Sequence, residues 1–462
     1  MTTPTFFKKH KIAIIIFLVA LLVRVLLFFI SFNHNGGNLI NTISGYDGYY
    51  EISRNLVDNG VFSVDSKAPF APHPLRPPLY PYYLAGLLAL FNSYWIITIF
   101  NLVIASFLPV LGFFIVKQAI ADERICIAAG FAMAIEPFSA LLSFIFYTET
   151  FFIFLFFIFL IFFFRYFKDN SLRNIVWASV FLGLATLVKP TTQYLPIVIP
   201  ILILWYFRKN ISKKTFYHIA AFVSVFLMLI SPWLYRNYKE FGAVGMTAQP
   251  AFNLYMYFTP TVLSLDKGTE YKKELAELTA RDGVDGTEIN LSNSDYFISR
   301  SLNEIKNHPV GVIKSFGVSA VTFFTHDGVL TVFKHLNVTI PGRFPKPAFM
   351  MFFNSPIQFF ITIWSILTIP LLAVVLMKLF WVFVAAIFLL GVVWFMRKEK
   401  LSPQIISALF LIVYFAATTS INGLGINARF RQPVNLFIFM FAVYGLFNLK
   451  QSLLSRQALL FK

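Results

Sequence analysis

Phe151-Phe-Ile-Phe-Leu-Phe-Phe-Ile-Phe-Leu-Ile-Phe-Phe-Phe164 contains no charged and no hydrogen-bonding side chain. Ile12 to Ile30 contains one charge, Arg24. The apolar character of both runs is continuous rather than periodic. With its flanks each reaches about 20 residues, the thickness of bilayer hydrocarbon. Lipid offers no partner to a backbone N–H or C=O, so these runs must satisfy themselves as helices. The rest of the chain agrees: of 462 residues 58% are hydrophobic and 13% charged, with a mean hydropathy of +0.72. A soluble domain carries roughly a quarter charged residues. The expected fold class is therefore all-α, a polytopic transmembrane helical bundle of about 12 spans. The 58 phenylalanines suit lipid-facing surface.

Lys8, Lys9 and Lys11 precede the first run as in a secretory signal. The run is too long for a signal core and no small-x-small site follows it, so it reads as an uncleaved first span. The single cysteine, Cys126, excludes an intramolecular disulfide. A formal net charge of +17 is often a mark of nucleic-acid binding. In a membrane chain, basic loops held in the cytoplasm account for it, and no nucleic-acid partner is expected.

Spans are expected at 11–32, 94–118, 124–143, 148–167, 171–189, 191–208, 216–236, 308–326, 355–377, 379–397, 402–421 and 430–449. With the N-terminus in the cytoplasm, alternate short loops carry the basic runs Lys117 to Arg124, Arg165 to Arg173, Arg208 to Lys214 and Arg397 to Lys400. This is the positive-inside pattern. Residues 1–450 then form one transmembrane module and residues 451–462 a cytoplasmic tail. Two long segments lie outside, 33–93 and 237–307, and the second reads equally as a small folded cap or a loop. Lys378 separates the ninth span from the tenth, and residues 308–354 admit more than one path. No period of about 20–50 residues is visible, which argues against a repeat architecture.

The first outer loop carries the densest chemistry. Asp47 is a good N-cap and Asn59-Gly60 a good helix stop. Between them Tyr49, Ile52 and Leu56 recur at helical spacing, opposite a polar face of Glu51, Arg54, Asn55 and Asp58. Pro72-His73-Pro74-Leu75-Arg76-Pro77-Pro78-Leu79-Tyr80-Pro81 follows, stiff and extended, ahead of an apolar run too short to span. Rigid presentation of His73, Arg76 and Tyr80 beside Asp47, with Tyr50, Glu51 and Arg54 on the neighbouring helix, suits binding of a polar substrate group at the membrane surface.

These strings carry a resemblance. Asp47-x-x-Tyr50-x-Ile52-x-Arg54-Asn55-Leu56 and then Arg76-Pro-Pro-Leu-Tyr-Pro81 look like the GT-C glycosyltransferases. The branch most resembled contains protein O-mannosyltransferases and the lipid A aminoarabinose transferase. Gly183 to Pro190, with Lys189-Pro190 at its end, resembles that family's basic-Pro segment. Pro232-x(3)-Arg236-Asn237-Tyr238-x(2)-Phe241-Gly242 and Arg429-Phe430-Arg431-x-Pro433 resemble two further motifs, in the same order along roughly 400 residues. The resemblance implies a GT-C-like bundle, a polyprenyl-phosphate-sugar donor and an outer active site. It also implies that Asp47 is the catalytic base. In several relatives an acidic pair follows that aspartate; Gly48 stands there here. Glu149, in Tyr147-Thr148-Glu149-Thr150, resembles an acidic metal ligand of oligosaccharyltransferase subunits, so Asp47 and Glu149 are candidate ligands for a divalent metal (Mg, Mn, Ca or Zn). Oxygen ligands suit such a cation. No cofactor is required by the reading.

Lys189, Arg236, Arg429 and Arg431 all fall at outer ends of expected spans, against the positive-inside bias. Charges at membrane depth usually mark a functional pathway. Their convergence would build a pocket for the donor phosphate, to which arginine can donate two hydrogen bonds. Snorkelling to lipid headgroups is the blander account. The expected partners are the lipid-linked donor, membrane lipids and a glycan, lipid or protein acceptor, in a bacterial plasma membrane with the site facing outward. A transporter would show related halves and mid-span charges, and a lipid-linked oligosaccharide ligase or polymerase a late outer loop. Asp282-Gly-Val-Asp-Gly lacks the remaining ligands of a calcium loop. His326-Asp327 closes the eighth expected span on the inner side, and joins the outer site only if that span does not cross.

Overall fold

The computed structural model describes residues 3–338, 355–365 and 369–460, and every regular element among them is helical. Helix α1 (Thr3–His34) is followed by α2 (Leu39–Ile43), α3 (Tyr49–Asp58) and α4 (Leu79–Phe91) in the first long loop, and α5 (Tyr94–Ala119) returns. A broken segment, α6 (Glu123–Ile135) and α7 (Pro137–Leu142), precedes α8 (Glu149–Asp169), α9 (Leu172–Val188), α10 (Leu195–Tyr206) and α11 (Lys213–Phe241). Then come α12 (Gln249–Asn253), α13 (Thr259–Lys267), α14 (Tyr271–Asp282), α15 (Ser294–Ile305), α16 (Pro309–Thr325) and α17 (Val329–His335). The last described helices are α18 (Pro356–Ser365), α19 (Ile369–Lys398), α20 (Pro403–Thr419) and α21 (Asn435–Leu460).

Among the described residues, seven helices are long and apolar enough to cross a membrane, or eight if the bent pair α16–α17 counts as one. The expected spans 171–189 and 191–208 are the short helices α9 and α10. The expected span 124–143 is broken at Glu136. The division at Lys378 is absent: α19 runs through it as one helix of 30 residues, and the Lys378 ammonium is met by Asp327 at 2.8 Å. The expected span 355–377 crosses residues outside those described. Phenylalanine divides: Phe29, Phe100, Phe107, Phe380 and Phe383 are exposed along their helices, as expected of lipid-facing surface. In α8, Phe152, Phe156, Phe157, Phe159 and Phe163 are buried rather than lipid-facing. A helix apolar all round belongs inside the bundle, and its rings stack along it, Phe152 on Phe156 at 5.7 Å and Phe159 on Phe163 at 5.4 Å.

The break between α6 and α7 is satisfied from both sides. Glu136 accepts hydrogen bonds from the backbone N–H of Phe138 (3.2 Å) and Ser139 (2.6 Å), capping α7. Arg24, buried in the middle of α1, donates to the freed carbonyl of Ala134 at 3.0 Å and to Ala20 O at 3.1 Å. An anion at a helix start and a cation at a helix end both complement the peptide dipoles. Arg24 is therefore a structural cap rather than a substrate residue. The break delivers residues 143–148 to the first loop, where Phe146 N–H donates to Ile43 O at 2.8 Å.

Contacts assign the helix ends to two faces. Asp47, Glu149, Lys189 and Arg429 meet on one. On the other, Tyr166 meets His218 at 3.2 Å, Gln404 donates to Phe164 O at 3.3 Å, and Lys398 donates to Asn448 at 2.8 Å. All four basic loops lie on that opposite face. The segment 237–307 is a folded helical cap on the site face, with its own small core of Ala251, Tyr255, Leu278, Ile289 and Phe297. The expected span 308–326 does not carry the chain to the opposite face. Its end meets Arg431, and Ser31 and Asn35 at the site-face end of α1 reach His335 O at 3.2 and 3.5 Å. In sealed vesicles, a membrane-impermeant maleimide applied from the side of Asn59→Cys is expected to label Asn337→Cys as well, and Lys209→Cys only after permeabilisation. Labelling of position 337 with position 209 instead would restore the crossing of 308–326.

Candidate functional site

The site is assembled around Asp47 and Glu149. Asp47 does not cap α3. Gly48 occupies the cap position in the left-handed region (φ 77°), where a side chain is strained, and this turn points the Asp47 carboxylate inward. Gly45 lies so close to the Tyr147 ring that a Cβ there would come within 2.6 Å of it. Glu149 opens α8 and its side chain is only 2% exposed.

Arg429 bridges the two carboxylates. Its Nη2 donates to Asp47 Oδ2 at 2.7 Å, and Nε and Nη2 donate to Glu149 at 3.0 and 3.2 Å. The guanidinium lies 3.9 Å from the centre of the Tyr147 ring, a cation–π contact. Lys189, at the end of α9, donates to Glu149 Oε1 at 2.8 Å. From the proline-rich stretch Arg76 donates Nε–H to the Asp47 backbone carbonyl at 2.7 Å, and its Nη2 lies 3.6 Å from Asp47 Oδ1. Two carboxylates against three cations leave a net charge of +1, and the Asp47 side chain remains 23% exposed. The centre is anchored within the protein and open at Asp47.

The expected convergence of four cations does not occur. Arg431 turns away from Arg429, is buried, and donates to Asn435 Oδ1 (2.9 Å), Phe323 O (2.8 Å) and His326 O (2.9 Å) while stacking 3.6 Å from Trp381. Its described contacts join α21 to α16 and α19. Arg236 lies apart from the centre, 4.8 to 5.5 Å from the rings of Trp233, Phe241 and Phe62, and donates to Asn237 Oδ1 at 2.9 Å. His326-Asp327 lies beside Arg431 and Lys378 rather than on the opposite face. Of the first-loop candidates, Arg76 reaches Asp47. Tyr80 is buried against Tyr49 at 5.2 Å, and Arg54 is exposed and pairs with Asp58 at 3.2 Å. Tyr50 packs on Tyr94 at 5.2 Å, Glu51 is exposed, and Asn55 is buried, donating to Ser63 O and Asp65 O. Tyr147, missed as a site residue, sits two positions before Glu149, and Gln249 accepts from Arg76 Nη1 at 3.2 Å with no signal in the sequence.

The carboxylate oxygens of Asp47 and Glu149, the expected metal ligands, are met by Arg429, Lys189 and Arg76, whose charge would oppose a further cation. Among the described residues no group of three or more His, Cys, Asp or Glu side chains could hold one.

His73 has a buried Nε2 without a hydrogen-bond partner among the described residues. Burial pushes its pKa down to about 4; Arg76 and Arg236 add to the shift and Asp65 opposes it. The neutral ring is therefore the folded form. Below the ordinary value of 6.5 the unfolded chain takes up a proton that the folded chain refuses, so stability falls as the pH drops from 6.5 towards about 4. Melting temperatures across that window are expected to fall less steeply for His73→Phe than for wild type; equal slopes would contradict the buried neutral ring.

The family model of dolichyl-phosphate-mannose-protein mannosyltransferase matches residues 75–235. No curated protein sequence matches the chain. Archaeal oligosaccharyltransferase AglB from Archaeoglobus fulgidus, solved with an inhibitory peptide and a dolichol-phosphate, is 14% identical over 98% of this chain and 52% of that chain, at a TM-score of 0.48. ArnT from Cupriavidus metallidurans in the apo state is 14% identical over 93% of this chain and 76% of that chain, at a TM-score of 0.37. The chain spans about half the length of the AglB chains it matches. The family match covers residues 75–235, less than half of the chain, on a fold that is all-helical with seven or more membrane-capable helices among the described residues.

Proposed function

We propose that this chain transfers a sugar from a polyprenyl-phosphate-linked donor to an acceptor at the outer face of a bacterial plasma membrane. The donor class follows the matched family, whose description names a dolichyl-phosphate-linked sugar. The basic loops on the face opposite the site support the orientation, because basic loops are retained in the cytoplasm.

The observation that carries the reading is the state of the two Asp47 oxygens. Oδ2 accepts from Arg429 at 2.7 Å, whereas Oδ1 has only a 3.6 Å contact with Arg76, longer than a hydrogen bond. Oδ1 therefore keeps a lone pair for the proton of an acceptor hydroxyl or amine. The surplus positive charge around it favours an anion. The donor phosphate would meet Arg429 and Lys189 first, with Arg236 available further out, and Arg431 serves the scaffold instead. As the acceptor attacks the anomeric carbon, the carbon–oxygen bond to phosphate breaks, the proton passes to Asp47, and polyprenyl phosphate leaves. Cations held in place stabilise the charge that develops on that phosphate. Direct displacement inverts the anomeric configuration.

Purified protein assayed with radiolabelled polyprenyl-phosphate-sugars is expected to lose turnover by about 10²–10⁴-fold in Asp47→Asn, with donor binding retained. An Asp47→Asn variant that turns over at the wild-type rate would refute the base assignment.

A further inference from the structure

Three side-chain amides in series lead from the site into the cap. Arg76 donates Nη1–H to Gln249 Oε1 at 3.2 Å, and Gln249 donates Nε2–H to Asn253 Oδ1 at 2.6 Å. Asn253 donates Nδ2–H to Asn422 Oδ1 at 3.0 Å, and Asn422 donates Nδ2–H to the Thr419 carbonyl at 2.8 Å. A guanidinium only donates and a backbone carbonyl only accepts, so the two ends fix the orientation of all three amides. One sense alone satisfies the four bonds. Asn253 and Asn422 are buried, where serial hydrogen bonds polarise one another and a broken link is costly.

The ends of the chain explain its placement. At one end Arg76 holds the backbone carbonyl of Asp47 and faces Oδ1. At the other, Asn422 lies in the 3-10 turn Ser420–Gly425, which leads through Asn427 to Arg429, the cation on Oδ2. Asn427 Oδ1 accepts from the Arg429 backbone N–H at 2.9 Å, fixing the start of that turn. The series thus connects the two cations that flank Asp47 through a cap helix remote from both in sequence. Its neutrality at Gln249 matters. A carboxylate at that position would compete with Asp47 for Arg76, whereas an amide accepts one hydrogen bond and leaves the charge of Arg76 directed at Asp47.

We propose that Gln249, Asn253 and Asn422 are positioning residues, and that docking of the cap through them sets the Arg76 guanidinium against Asp47. This role rests on the reading of Asp47 as the base. It makes the cap part of the catalytic apparatus, since its seating determines where the Arg76 guanidinium stands beside Asp47.

The test compares kcat and KM for the polyprenyl-phosphate-sugar in purified full-length protein. Gln249→Glu, which draws Arg76 off Asp47, is expected to lower kcat by about tenfold with KM within about twofold of wild type. Gln249→Leu and Asn253→Leu, which interrupt the series at successive links, are expected to lower kcat by less. Gln249→Glu is close to isosteric and keeps a partner for Arg76, so it carries the test if the leucine variants do not fold. A kcat unchanged from wild type in Gln249→Glu overturns the positioning role, whatever happens to the melting temperature. Turnover by Asp47→Asn decides the base assignment separately. If that variant stays active, the assignment falls and the catalytic part of this proposal with it. If it is inactive while the relay variants turn over as wild type, the relay alone is wrong.

Discussion

The Arg429 guanidinium is the joint on which the site depends. Glu149 is almost fully buried, and a buried carboxylate without a partner carries a penalty of several kcal/mol. Arg429 and Lys189 neutralise it, and Arg429 then has a donor left for Asp47. One planar cation thereby fixes the first loop against the start of α8 and the turn before α21, elements separated by hundreds of residues in the chain. The geometry is that of a fork gripping two carboxylates, which the single ammonium of a lysine could not reproduce.

Arg431, two positions later, shows how local backbone decides function. Residues 428–434 form a 3-10 turn with 3.0 residues per turn, so side chains two apart point about 120° apart. Arg429 therefore faces the carboxylates while Arg431 faces Trp381 and the carbonyls at the end of α16. Together with Arg24 and Glu136, Arg431 belongs to a second buried polar region that closes breaks in the helical scaffold. Intramembrane charge in this protein thus has two uses, and burial alone does not separate them.

Much of this was legible in the sequence. Continuous apolar runs and the basic loops gave the membrane class and the shared face of Asp47, Glu149, Lys189 and Arg429. The Pro-rich string placed Arg76 beside Asp47, and Asn59-Gly60 ended α3 as expected. What failed were readings that need three-dimensional context. Periodicity cannot show that the Phe-rich run is interior, because a helix apolar on every side looks the same in lipid and in a bundle core. Lys378 looked like a loop residue because its partner, Asp327, is distant in sequence. The path of 308–326 turned on tertiary contacts to Arg431 and α1. Gln249 and Asn422, neutral amides in unremarkable surroundings, gave no sequence signal for a role that exists only through their serial bonding.

The most direct test of the account is a double-mutant cycle between Glu149 and Arg429, using Glu149→Gln, Arg429→Gln and the double variant, read as unfolding free energy in detergent. A bridged buried pair predicts that each single change is strongly destabilising and that the double change costs less than their sum, with a coupling of about 1–3 kcal/mol. Additivity to within about 0.5 kcal/mol would mean that Arg429 does not hold Glu149, and the site would have to be rebuilt without its joint.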